Sequence, residues 1–156
     1  MKQYNILDYG AIADGVTNNA AAIQQAIDEA SAAGGRVVIP QGKYLSGTLV
    51  LKSNIDFHLE KGAVLISSLN QEDIMDFAKL FEDDNACTGW DGGCFLFACH
   101  EENITISGEG VIYGQGDKVF IDDDVDGGAH ECPLSVAAFR PRTTFLEDVT
   151  NLTVRD

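Results

Sequence analysis

The chain has 156 residues, 45% of them hydrophobic, and a formal charge of −15 at neutral pH. That is enough chain for one domain around one continuous core, and a surface this negative excludes nucleic acid and anionic membrane as partners. No run of about 18 apolar residues is present, so no membrane-spanning helix is expected.

Residues 4–13 read as a short strand that enters a turn at Asp14-Gly15. From Thr17 the pattern becomes helical, with Thr17 or Asn18 as cap. Ile23, Ala26, Ile27 and Ala30 fall at i, i+3, i+4 and i+7, which makes one apolar stripe. Gly34-Gly35 stops this helix, because glycine takes the left-handed cap conformation without strain. A lone helix with one apolar face needs a surface to cover.

Short strand-like runs then follow closely, at 36–39, 48–51, 55–59 and 64–67. Between Leu69 and Gly93 lie seven acidic residues and one lysine, with a short helix expected around 74–81. Strands resume at 94–99, 104–107 and 111–113. Between Gly114 and Cys132 lie six acidic residues and one lysine. These two stretches hold most of the excess negative charge and read first as solvated loops. Runs at 135–139, 144–146 and 152–154 complete the chain.

One unit recurs: Asn54-Ile55-Asp56-Phe57, Asn103-Ile104-Thr105-Ile106 and Asn151-Leu152-Thr153-Val154, spaced 49 and 48 residues apart. The first two are followed at the same offset by Gly62-Ala63-Val64-Leu65 and Gly110-Val111-Ile112-Tyr113. Self-similarity at such a period marks a solenoid. No two runs are joined by a two-residue Asn-Gly or Asp-Gly turn, and helices do not alternate with strands. Both facts argue against a sandwich and against βαβ units. The expected fold is all-β: a right-handed parallel β-helix, as one domain over residues 1–156, with the N-terminal α-helix capping its first coil. The three asparagines are expected to stack as a hydrogen-bonded ladder. The last repeat stops part-way, at Asp156, so an open edge capable of self-association is expected there.

Cys87, Cys94, Cys99 and Cys132 match no zinc or CxxC spacing and read as buried free thiols, although His100 and His130 lie near two of them. Asp122, Asp124 and Asp126, followed by Gly127, fit the start of a calcium-binding loop. The twelfth place, which calls for a bidentate glutamate, holds Pro133. Calcium is therefore weighed against a solvated loop, and no other cofactor is expected. Trp90, with Asp91 beside it in a glycine-rich stretch, is a candidate for stacking on a sugar ring or for filling a gap in the core.

The segment Asn5-Ile6-Leu7-Asp8-Tyr9-Gly10-Ala11-Ile12-Ala13-Asp14-Gly15, with Gly34-Gly35-Arg36-Val37-Val38-Ile39-Pro40, resembles the opening of pectate-lyase-superfamily β-helix proteins. Ser107-Gly108-Glu109-Gly110-Val111-Ile112-Tyr113-Gly114-Gln115-Gly116 and Phe139-Arg140-Pro141 resemble the polygalacturonases, glycoside hydrolase family 28. The resemblance implies an N-terminal portion of a hydrolase that cleaves pectic or related polysaccharide with inversion, a carbohydrate partner, and acids in Asn-Thr-Asp and Asp-Asp motifs. Neither motif, nor the family's Gly-His-Gly and Arg-Ile-Lys, stands at a matching position. No catalytic residue is assigned: the acids are expected beyond Asp156, and these 156 residues alone are expected to be inactive. A carbohydrate-binding or phage-tail-type β-helix module and a calcium-dependent lyase are the alternatives. With Met1 as the natural start the expected location is cytoplasmic; otherwise the protein is secreted.

Overall fold

Each strand here is too short to bury its own apolar side chains. The chain solves this by winding, so that every strand lies in register on its counterpart one coil earlier. A computed structural model describes residues 1–75, 93–122, 134–136 and 141–156. The first sheet stacks β1 (Gln3–Asn5), β3 (Arg36–Ile39), β6 (Ile55–Leu59), β9 (Glu102–Ser107) and β14 (Thr150–Val154). The second stacks β2 (Asp14–Asn18), β4 (Gly42–Ser46), β7 (Ala63–Ser67) and β10 (Val111–Tyr113). The third stacks β5 (Leu49–Val50), β8 (Cys94–Cys99) and β13 (Arg142–Glu147). All pairs in these three sheets are parallel. The expected β-helix is therefore the observed fold.

Register makes the core. Tyr4, Val37, Phe57 and Ile106 follow one another up the first sheet, and Tyr44, Leu65 and Ile112 up the second. Val37, Phe57, Tyr44 and Leu65 have no exposed surface. A buried phenylalanine of this kind contributes roughly 1.5–3 kcal/mol.

The helix α1 (Ala20–Ala33) buries Ile23, Ala26, Ile27 and Ala30, the stripe expected from the sequence, and ends at Gly34 with φ 68°. It packs on β1, β3, β5 and β6. Its polar residues finish the job that its apolar ones begin. The Gln24 amide donates to the Val50 carbonyl (2.9 Å) and accepts from the Val50 N–H (2.8 Å), so it occupies the free edge of β5 like one residue of a further strand. Asn19, buried, accepts from Ile12 N–H (2.7 Å) and donates to the carbonyls of Ile12, Thr17 and Leu45.

Some elements differ from expectation. The strand expected over residues 4–13 is β1 followed by a 3-10 turn at Ile6–Tyr9. Thr17 belongs to β2, and Asn18 holds the helix start through Ala20 N–H (3.0 Å). Strand β4 was not expected, because Lys43, Tyr44 and Ser46 do not advertise a strand beside Pro40. The helix expected near 74–81 lies mostly outside the described residues; Gln71–Asp73 forms a 3-10 turn. An antiparallel pair, β11 (Phe120–Asp122) with β12 (Leu134–Val136), departs from the all-parallel expectation. Cys94 and Cys99 are free thiols, as read, with Cys94 buried and Cys99 half-buried; Cys87, Cys132 and His130 lie outside the described residues.

The corner between the third and first sheets is uniform. Asn54, Asn103 and Asn151 all have positive φ, at 63°, 56° and 57°. Asn103 donates to the Asn54 side chain (3.0 Å) and Asn151 to that of Asn103 (2.8 Å), which is the expected ladder. Asparagine tolerates this backbone region better than other non-glycine residues. Asn103→Ala should lower stability by roughly 1–2 kcal/mol, the usual cost of a left-handed conformation at an ordinary residue, and Asn103→Gly by less. Urea unfolding checks this: an alanine variant as stable as the parent would show that the ladder contributes nothing.

Candidate functional site

Three corners join the sheets, and from the second coil onward one of them carries the long insertions. Between the first and second sheets the chain turns through a few residues, as at Pro40-Gln41 and at Glu60–62. In the second coil the corner from the second to the third sheet is Gly47-Thr48 alone. In the next two coils that same corner holds residues 68–93 and 114–141. The repeat of 48–49 residues is therefore a short coil, with Arg36 and Asp56 only 20 apart, extended twice at one place. Both acidic stretches leave the solenoid from a single edge.

The roots of these extensions are tied down coil to coil. Ser68 Oγ donates to Asp73 (2.6 Å), and Thr48 N–H donates to the Asp73 carbonyl (3.1 Å). Thr48 Oγ1 donates to the Cys94 carbonyl (2.7 Å) and accepts from Met75 N–H (2.8 Å). Gln115, buried and at φ 56°, donates from its amide to the Ser67 carbonyl (2.5 Å) and accepts from Lys118 (2.5 Å). The Tyr113 hydroxyl donates to Asp117, and that bond to a carboxylate holds the phenol above its ordinary pKa.

The outer face of the second sheet runs beside this corner. In register, Leu45, Ile66 and Tyr113 form one row and Lys43, Val64 and Val111 another. All six retain exposed surface. A strip of four aliphatic side chains with one phenol and one ammonium suits a sugar ring, which presents apolar C–H faces and a polar rim. The described strands of this sheet carry one carboxylate, Asp14. It accepts from the Thr17 hydroxyl (2.7 Å) and from the N–H groups of Thr17 and Val16, which hold its pKa down to about 2. A carboxyl that remains ionised cannot act as general acid.

At the fourth coil the exit of β10 and the approach to β13 enclose a cleft of about 300 Å³, lined by Gly114, Gly116, Val119, Pro141, Arg142, Thr143 and Thr144. The Arg142 guanidinium lies 5.5 Å over the Phe145 ring. A Cβ on Gly114 would come within 2.5 Å of Thr143 Oγ1, so a larger residue there would force that hydroxyl to turn away.

A second polar cluster lies on the first sheet. Arg36 donates Nε (2.7 Å) and Nη2 (2.6 Å) to Asp56 Oδ2, and Ser107 donates to Asp56 Oδ1 (2.6 Å). The Ser107 proton is committed, so His58 Nδ1 is the donor in its 2.8 Å contact with Ser107. That order, Asp-Ser-His, is wrong for a nucleophilic serine, whose oxygen must give its proton to histidine. The cluster pins three coils together.

Among the site residues expected from sequence, Trp90, Asp91, Asp124 and Asp126 lie outside the described residues. Asp122 ends β11, its backbone opposite Leu134. Among the described residues no three His, Cys, Asp or Glu side chains gather as metal ligands. His100 bonds Asp148 (2.7 Å). The Cys94 thiol is pushed up to about 12 by burial, and Cys99 is raised by burial and by Glu147, Asp148 and Glu101. The sequence gives Gln115 no role beyond its place in the polygalacturonase-like run and does not single out Arg142. For Gln115 a signal existed, since its partner Ser67 lies 48 residues away, the repeat itself.

Residues 3–155 match the family model described as rhamnogalacturonase A/epimerase, pectate lyase-like. An exo-poly-alpha-D-galacturonosidase of Dickeya chrysanthemi is 37% identical over 131 residues, 75% of this chain and 20% of that protein. The solved Family 28 exopolygalacturonase of Yersinia enterocolitica superposes with TM-score 0.68 at 26% identity, over 98% of this chain and 34% of that one. The Streptococcus pneumoniae surface adhesin PfbA superposes with TM-score 0.63 at 28% identity, over 99% of this chain and 32% of that one. The chain thus spans between a fifth and a third of these relatives' lengths.

The Asp14 bonds carry a pH signature. Its folded pKa of about 2 lies below the ordinary 3.8, so its stabilising effect is complete above about pH 4 and fades as pH falls through 2. The stability gap between the parent and Asp14→Ala should therefore narrow from pH 4 to pH 2. A gap that stays constant across that window, measured by urea unfolding, contradicts the assignment.

Proposed function

This chain belongs to the rhamnogalacturonase A/epimerase, pectate-lyase-like family, and from that premise we propose that it forms the cap and first coils of a polygalacturonase-like glycoside hydrolase acting on pectic or related polysaccharide. The fold is that of a polygalacturonase-like β-helix. The observation that carries the proposal is the shared corner: two long insertions both leave the solenoid between the second and third sheets, at the edge of the second sheet's outer face. A solenoid can hold a linear polymer on such a face, with successive rings lying along successive coils.

Inverting hydrolysis needs one carboxylic acid at the leaving oxygen and a carboxylate on the opposite face of the sugar to activate water, roughly 6.5–9.5 Å apart. The described strands of the second sheet supply Asp14 alone, and its low pKa disqualifies it as the acid. In this reading the 156 residues bind and orient one end of the polymer, while the acid and base belong to coils beyond them. Tyr113, Ile66 and Leu45 supply stacking surface, and Gln115 ties the root of the second insertion to Ser67.

A second reading is a non-catalytic binding module. The likeness to the pneumococcal adhesin favours it, because 99% of this chain superposes on a surface protein named for adhesion.

Two assays on polygalacturonate decide between these readings. The chain alone should release no reducing ends, yet oligogalacturonides should shift the amide resonances of β7 and β10. Joined to coils that carry the Asn-Thr-Asp and Asp-Asp motifs, it should support hydrolysis with inverted anomeric configuration. Turnover by the chain alone would sink the division of labour. Absence of any shift on β7 and β10 would sink the groove.

A further inference from the structure

We propose that the outer edge of β14 is a docking surface for a parallel strand that brings a primary amide to the asparagine corner, in a segment of the form Asn-apolar-x-apolar. The inference is independent of the carbohydrate reading above.

The ladder has a direction. The Asn103 amide donates to Asn54 Oδ1 (3.0 Å), and the Asn151 amide donates to Asn103 Oδ1 (2.8 Å). Each rung thus donates towards the N-terminal end and accepts from the coil above it. Asn151 Oδ1 is the acceptor left over, since no described residue donates to it. Whatever seats on this corner must carry an N–H donor, which a carboxylate or a carbonyl lacks.

The backbone adds a second condition. Arg36, Asp56, Thr105 and Thr153 are in register, and two places before them stand Gly34, Asn54, Asn103 and Asn151, all with positive φ. Asparagine meets both conditions, because it tolerates the left-handed region and supplies the amide. Glycine, as in the first coil, meets only the conformational one.

Packing and charge set the rest. Leu152 and Val154 lie over Ile104 and Ile106 and are exposed. Among the described residues no strand pairs with the other side of β14. Apolar side chains one and three places after the docking asparagine would extend both columns, in the parallel sense that every pair of this sheet already has. Glu147 and Asp148 are exposed beside the corner and the protein carries −15, so a neutral or basic segment is favoured over an acidic one. A second copy does not meet these conditions. Its N-terminal end is covered by α1, and two β14 edges brought together antiparallel would enter one interface with both ladders acceptor end first.

The test is an amide-resonance titration of the whole chain with a synthetic peptide, blocked at both ends, of the sequence Lys52-Ser53-Asn54-Ile55-Asp56-Phe57-His58-Leu59, in which one lysine balances one aspartate. At millimolar concentration it should shift the amides of Thr150–Val154. The Asn54→Gly peptide keeps the backbone freedom and loses the donor, so it should bind about fivefold more weakly, the usual net worth of one hydrogen bond. A nitroxide at the peptide's N-terminus should broaden Thr150 more than Val154, and sedimentation should show the chain alone to be a monomer. Equal binding of the glycine peptide, broadening in the opposite order, no shift on β14, or a dimer of the chain joined through β14 would each overturn the proposal. The sugar assays read β7 and β10, so this surface and the groove fail separately.

Discussion

In-register parallel stacking is the constraint on which everything else depends. A strand of two to six residues cannot bury its own side chains, and no strand here has a hairpin partner in the three main sheets. Phe57 is buried only because Val37 lies one coil below and Ile106 one coil above. The core is thus a set of columns rather than a shell, and each coil depends on its neighbours. The cost of that arrangement is concentrated at the ends, where apolar columns and unpaired backbone groups face outward together.

The N-terminal end shows how both problems are met at once. Helix α1 lays its apolar stripe on the open columns, and its polar side chains satisfy the exposed backbone. Gln24 mimics a peptide group against Val50, while Asn19 gathers three carbonyls and one N–H that the first coil leaves over. At the other end β14 pairs with β9, and Leu152 and Val154 continue the columns of Ile104 and Ile106 with 38% and 66% of their surface exposed.

Variation is confined to one corner for a physical reason. Asn54, Asn103 and Asn151 need matching positive φ and matching spacing to pass hydrogen bonds up the ladder, so an insertion there would break a column of bonds. Among the described residues the corner from the second to the third sheet has no such ladder. It is fastened by separate contacts, such as Ser68 with Asp73 and Gln115 with Ser67, and so it accommodates extensions of different sequence. Rigid coils and one permissive edge thus keep the sheets fixed while the insertions between them differ.

Much of this was legible in the sequence. The Asn-apolar-x-apolar unit, repeated at 49 and 48 residues, contained the winding, the ladder and the columns, because a parallel stack must place like residues at like positions. The spacing of Ile23, Ala26, Ile27 and Ala30 contained the cap, because a helix period is local. Strand β4 was hidden, since Lys43 and Ser46 hold their places through partners in other coils rather than through a pattern of their own. The candidate site was hidden for the same reason. Gln115, Arg142 and the row Leu45, Ile66 and Tyr113 acquire a common surface only when separate coils stack. Periodicity fixes which residues repeat, whereas only the register between coils decides which distant side chains become neighbours, and at which corner a groove opens.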